Sequence, residues 1–161
     1  MEASLRKKII AAAGGGAIAI ATVLIPHLEG VKYTPYRDVG GVWTVCNGIT
    51  GPDVIIGKIY TEKECKELLH KHLIPYARSV EKHVKTPASE YQKAALISFS
   101  FNVGAGAFER SSLLRYLNSG DSKKACDALK QWVYVDKNKI PGLMNRREVE
   151  REICMWSNKN A

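Results

Sequence analysis

An uncharged run of 17 residues, Ile9 to Ile25, follows the basic trio Arg6, Lys7 and Lys8, and only Pro26, His27 and Leu28 separate it from Glu29. Such a run must be buried, either in protein or in lipid. As one helix it would be about 25 Å long, slightly short of a hydrocarbon core of roughly 30 Å. It holds six Ala, five Ile and three consecutive Gly at 14–16. Ala and Gly contribute little transfer free energy, so a bilayer should hold the run weakly. The basic flank before it, with none directly after, predicts a cytoplasmic N-terminus and export of the remainder. Three fates follow: a cleaved signal, since Ala19-Ile20-Ala21 offers a small-x-small site; a permanent anchor, which the composition disfavours; or an anchor that inserts and later leaves. The residues alone leave the first and third open.

Residues 1–28 are therefore read as an N-terminal segment and 29–161 as one folded domain. With 45% apolar and 25% charged residues over its full length, the chain can build a core and is not disordered. The whole chain's 24 Lys+Arg against 16 Asp+Glu give a net charge of +8, which suits polyanions such as nucleic acid, anionic lipid or acidic wall polymers. No helix with a clustered basic face, no zinc-ligand spacing and no aromatic stacking motif supports nucleic acid, so no nucleic-acid partner is expected. Lys123-Lys124 and Arg146-Arg147 read as solvated helix positions. Cys46, Cys65, Cys126 and Cys154 have no C-x-x-C spacing and no His partner at ligand distance, so two disulfides are expected and a metal or cofactor is not. Three pairings are open, and the favoured one joins neighbours along the chain, Cys46–Cys65 and Cys126–Cys154.

The residues from Tyr33 to Thr50 have strand character, broken by Pro35 and Gly40-Gly41, and predict a small antiparallel sheet. From residue 61 the periodicity becomes helical. Thr61 and Glu64 form a capping box ahead of a helix over 61–80. Thr86-Pro87 is expected to open a helix that becomes apolar on nearly every side from Ala94 to Val103 and ends at Gly104-Ala105-Gly106. Further helices are expected around 112–118, around 122–134, and from Asn145 to the end. The fold class is α+β, a small sheet lobe and a larger helical lobe joined by the 61–80 helix.

Glu29, Asp38 and Thr44 carry the candidate chemistry. Glycosidic cleavage needs an acid to protonate the leaving oxygen and a second carboxylate to activate water or attack the sugar. Glu29 in an apolar cleft wall would retain a proton. Asp38 in a polar turn would stay ionised, and the Thr44 hydroxyl would help it hold water. A cap for Glu29 and a turn role for Asp38 are the plainer readings of each residue alone.

Glu29-Gly30, Tyr36-Arg37-Asp38 and Gly41-Val42-Trp43-Thr44 resemble the active-site signature of the phage-type lysozymes, glycoside hydrolase family 24. Phe101-Asn102-Val103-Gly104, Leu113-Leu114-Arg115, Trp132 and Gly142-Leu143-x-x-Arg146-Arg147-x-x-Glu150 resemble the family downstream. The basic start and Gly/Ala-rich run are similar above all to the phage 21-type endolysins, in which this segment is a signal-anchor-release element. Two departures stand out: the link from Ile25 to Glu29 is short, and Asn47 and Ile49 stand where His is common. The resemblance implies a lysozyme-like two-lobed fold. It also implies hydrolysis of the β-1,4 bond between N-acetylmuramic acid and N-acetylglucosamine in peptidoglycan, causing host lysis, with Glu29 as acid, Asp38 as base and Thr44 as its helper. Phe101 and Asn102 are candidate sugar contacts, core packing being the equal reading for Phe101. The expected partners are glycan strands and, before release, the host inner membrane through residues 9–25. A monomer is expected, exported to the periplasmic side and then released. While the run is inserted, the short link would keep Glu29 at the bilayer and the enzyme inactive. The rival readings are a lytic transglycosylase and a cationic protein that permeabilises membranes.

Overall fold

The computed structural model describes residues 1–157. The apolar run is not one helix. Helix α1 (Ala3–Ala12) leads through a single 3-10 turn (Ala13–Gly15) into α2 (Gly16–Glu29). The break falls on the glycine triplet because Gly16 has φ +79° and ψ −171°, a conformation that L side chains avoid. The backbone N–H of Ala17, at the new helix start, donates to Glu90 Oε2 at 2.8 Å. A carboxylate there satisfies one of the free amides and complements the helix dipole. The link from Pro26 to Leu28 is not an extended strap. It continues α2, which ends at Glu29 with Gly30 N–H returning to the Pro26 carbonyl at 2.8 Å.

The sheet lobe follows. Strand β1 (Lys32–Arg37) pairs antiparallel with β2 (Trp43–Cys46), which pairs with β3 (Ile49–Thr50). Strand β1 runs through Pro35, and the register shifts between Lys32 and Tyr36, where proline has no N–H for the ladder. Helix α3 (Glu62–His83) then crosses to the helical lobe. Its capping box is formed as expected, with Glu64 N–H on Thr61 Oγ1 at 3.1 Å and Thr61 N–H on Glu64 Oε2 at 3.0 Å.

In the helical lobe, α4 (Glu90–Val103) is buried on nearly every side, as its all-round apolar pattern predicts. It starts later than Thr86-Pro87 suggests, because Ser89 is the cap that accepts from Gln92 N–H at 2.9 Å. Past Gly104 the chain does not leave helix but begins the short α5 (Ala105–Glu109), followed by α6 (Ser112–Asn118) and α7 (Ser122–Ala128). The stretch to 134 is a 3-10 turn and then the hairpin β4 (Tyr134–Val135) and β5 (Asn138–Lys139). Asp136 and Lys137 make its tight turn at positive φ, 47° and 67°. The last helix, α8 (Pro141–Cys154), starts at Pro141 rather than Asn145, since proline at the first turn loses no hydrogen bond.

One core holds the helices together. Leu5 and Ile9 from α1, and Ile20, Leu24 and Ile25 from α2, are buried among residues of α3, α4 and α8. Burying these large side chains is worth on the order of 10 kcal/mol, as an upper figure. That gives the weakly lipophilic run a home in protein. Two disulfides fasten the fold, Cys46–Cys65 between β2 and α3 and Cys126–Cys154 between α7 and α8, the neighbour-to-neighbour pairing. The α+β class, with its sheet lobe, helical lobe and long connecting helix, stands as read from the sequence.

Candidate active site

Glu29 is the last residue of α2, so the packing of the apolar run decides where its carboxyl lies. Oε1 is bonded to the Arg146 guanidinium of α8, and the side chain keeps 24% of its exposure. Oε2 faces Gly48 in the turn between β2 and β3, where an added Cβ would sit 3.8 Å away. The same turn is tied to the end of α2 by Asn47 Nδ2, which donates to the Gly30 carbonyl at 2.6 Å. The setting of Glu29 is thus a guanidinium and a backbone turn rather than the apolar wall expected.

Asp38 sits at the other end of β2, in the turn that joins it to β1. Its Oδ1 accepts from Gly40 N–H at 2.8 Å and Val42 N–H at 2.9 Å. The plainer turn-stabilising role is therefore real, and it leaves Oδ2 for another partner. Thr44, on β2, is 3% exposed and its hydroxyl donates to the Val42 carbonyl at 3.0 Å. With its proton committed, Oγ1 presents lone pairs only, which suits a group that accepts a hydrogen bond from a water molecule. Strand β2 spans four residues, about 10 Å of backbone, between the Asp38 end and the Glu29 end.

Behind Glu29 lies a buried charge network that the sequence reading missed. Arg146 and Arg147 are 4% and 1% exposed, not solvated helix positions. Both pair with Glu150, which is fully buried: Arg146 Nε at 2.8 Å and Arg147 Nη1 at 2.7 Å. Spacings of four and three along one helix put all three side chains on one face, and that periodicity was the available signal. Burial presses the Arg147 guanidinium below its ordinary value, while Glu150 holds it up. Arg147 Nε also donates to the Trp132 carbonyl at 3.0 Å, and its Nη2 is bonded to Asn102 Oδ1. Asn102 is exposed at the end of α4, linked through Arg147 and Glu150 to the Arg146 that holds Glu29. Phe101 beside it is half-buried and edge-on to Tyr76 at 5.4 Å between centroids, a core contact. Lys123 and Lys124 are exposed, as expected.

Residues 26–150 match the family model described as phage lysozyme, a span that includes Glu29, Asp38, Thr44 and the Arg146–Glu150 network. The chain belongs to the phage lysozyme family. It is therefore a glycoside hydrolase of lysozyme type. A protein named SAR-endolysin from Enterobacteria phage P21 is 53% identical over 97% of this chain and 98% of its own length. Among solved structures, the muramidase domain of SpmX from Asticaccaulis excentricus superposes with a TM-score of 0.79 at 28% identity, over 84% of this chain and 95% of that one. A P22 lysozyme variant superposes with a TM-score of 0.77, also at 28% identity, over 84% and 95% of the two chains. The lysozyme-like α+β two-lobed fold is what the resemblance of the sequence implied.

Proposed function

We propose that this lysozyme is an endolysin that cuts the β-1,4 bond between N-acetylmuramic acid and N-acetylglucosamine of peptidoglycan, and that its N-terminal segment switches it on. Glu29 protonates the leaving oxygen, Asp38 accepts a proton from the attacking water, and Thr44 holds that water. The observation that carries the switch is the bond between Glu29 and Arg146, residues 117 positions apart, made at the tip of the very helix that must leave the bilayer. The acid role rests on the order of Glu29, Asp38 and Thr44 within the span that matches the family.

Hydrolysis with water delivered from the opposite face calls for carboxyl groups roughly 6.5–9.5 Å apart. Placement of Glu29 and Asp38 at opposite ends of a short strand supports that spacing. Inversion of the anomeric centre is the expected product outcome, and retention excludes the mechanism. Asn102 contacts sugar from the cleft side, oriented by Arg147, whereas the Phe101 ring serves the core.

Residues 1–28 act as the signal-anchor-release element. Inserted in the host inner membrane through residues 9–25, they hold the domain on the periplasmic side with Glu29 away from Arg146. Release to the periplasm lets the run break at the glycine triplet and dock on α4, which brings Glu29 to its partner. The basic N-terminus must cross the bilayer for this, so collapse of the membrane potential favours exit. A monomer is the expected state.

Clearing of purified peptidoglycan by wild type and Glu29→Gln tests the reading. Loss of clearing is expected, and full clearing by Glu29→Gln refutes the acid assignment. Persistent lysis of intact cells by that variant would instead mark a membrane permeabiliser. Products with 1,6-anhydro ends would mark a transglycosylase.

A further inference from the structure

Glu150 has no exposed surface and takes no part in the proposed glycosidic chemistry, yet both of its oxygens are committed. Oε1 accepts from Arg146 Nε at 2.8 Å and from Ser98 Oγ at 2.9 Å, and Oε2 accepts from Arg147 Nη1 at 2.7 Å. Arg146 is braced a second time by α4, with Nη2 donating to the Ser98 carbonyl at 3.0 Å and to Ser98 Oγ at 3.2 Å. Of its three nitrogens, Nε and Nη2 are thus held by Glu150 and Ser98. Nη1 alone points to Glu29. The charges also fall into a pattern. Two buried guanidiniums, Arg146 and Arg147, share one carboxylate, Glu150, and Glu29 on α2 supplies the second.

We propose that Glu150 is a positioning residue for the hydrolysis, with two effects on Glu29. It fixes the rotation of Arg146 so that Nη1 meets the carboxyl that α2 delivers. Its own charge offsets part of the guanidinium field that Glu29 feels. The proposal rests on the assignment of Glu29 as the acid. The groups facing Glu29 are Arg146 from α8 and the neutral Asn47–Gly48 turn, with His27 on its own helix and Asp38 at the far end of β2. The groups facing Glu150 are Arg146, Arg147 and Ser98.

Glu150→Gln preserves shape and removes the charge, leaving both guanidiniums to act on Glu29. A carboxyl under a stronger positive field gives up its proton at lower pH. The descending alkaline limb of the kcat/KM profile is therefore expected to move to lower pH by roughly one unit. A fall in kcat of about tenfold with KM little changed is expected beside it. Glu150→Asp retains the charge, so its limb should stay with wild type even where kcat falls. A role confined to stability would lower the melting temperature in both variants and leave both limbs in place, which overturns the proposal.

Should Glu150→Gln fail to fold, Ser98→Ala removes the shared hydroxyl without altering buried charge. There a severalfold loss of kcat with an unmoved limb is expected, and an unchanged kcat overturns the proposal. If Glu29→Gln is inactive while Glu150→Gln keeps the wild-type profile, only the positioning role fails. If Glu29→Gln is active, the acid assignment itself fails.

Discussion

Gly16→Ala tests whether release depends on breaking the apolar run at one residue. In the folded enzyme Gly16 has φ +79° and ψ −171°, and a Cβ there would lie 3.2 Å from Glu90 Oε2. Holding a non-glycine residue in that region costs about 1–3 kcal/mol. In an unbroken membrane helix the same alanine is preferred over glycine by about 1 kcal/mol. Its methyl group adds about 0.8 kcal/mol of transfer into hydrocarbon. All three terms push the same way, so the balance between inserted and docked forms should shift by roughly 3–5 kcal/mol, or about a hundred- to a few-thousand-fold. The control is Gly14→Ala, where a Cβ meets nothing within 4 Å and φ is not positive. It shares the membrane terms without the strain. After collapse of the membrane potential, the fraction of each protein in the membrane pellet and in the soluble fraction is measured against time, together with lysis. Gly16→Ala should remain in the pellet far longer than Gly14→Ala. Equal retention of the two would show that only hydrophobicity governs exit and would refute the hinge.

Other consequences are more local. The Asp53 carboxyl is held below the usual carboxylate range, first by the His72 hydrogen bond and then by Lys71, which ties the loop before α3 to that helix. A depressed carboxylate stabilises the fold above its unfolded value, near 3.9, and that contribution is lost as pH falls through the folded value. Asp53→Asn should thus lower the melting temperature at neutral pH and match wild type in strong acid. A deficit independent of pH would refute the linkage. Replacing Cys126 and Cys154 by Ser opens a link between positions 28 apart. Calorimetry should then show a loss of roughly 3 kcal/mol, about 10 °C in melting temperature. Leu24→Ala in α2 should destabilise the docked form by about 2–5 kcal/mol through a cavity. Its specific activity should fall only where the enzyme unfolds.

Much of this protein is written in local chemistry. The Thr61/Glu64 box opens α3 because both partners lie within one turn, and the all-round apolar stretch from Ala94 makes α4 central because no face of it tolerates water. Glu29, Asp38 and Thr44 stood out as candidates from their order and from the motifs around them. The misplaced starts were also local in origin but ambiguous. Pro87 and Pro141 each suit a first helical turn, yet Ser89 takes the cap before α4, while α8 does begin at Pro141. The hairpin at 134–139 was hidden because its turn uses Asp136 and Lys137 where glycine would have announced it.

What the sequence determined by itself was the small sheet, the helices α3 and α4, the candidate carboxyl groups and the marginal lipophilicity of the first 25 residues, since all of these depend on residues within a few turns of one another. Only the tertiary structure decided that Arg146 and Arg147 lie inside, that the apolar run breaks at Gly16, and that Glu29 meets a guanidinium. A charge can be buried only when a distant partner neutralises it, and a helix breaks at glycine only when packing against α4 repays the bend. Neither condition can be read along the chain, because each is set by residues far apart in it.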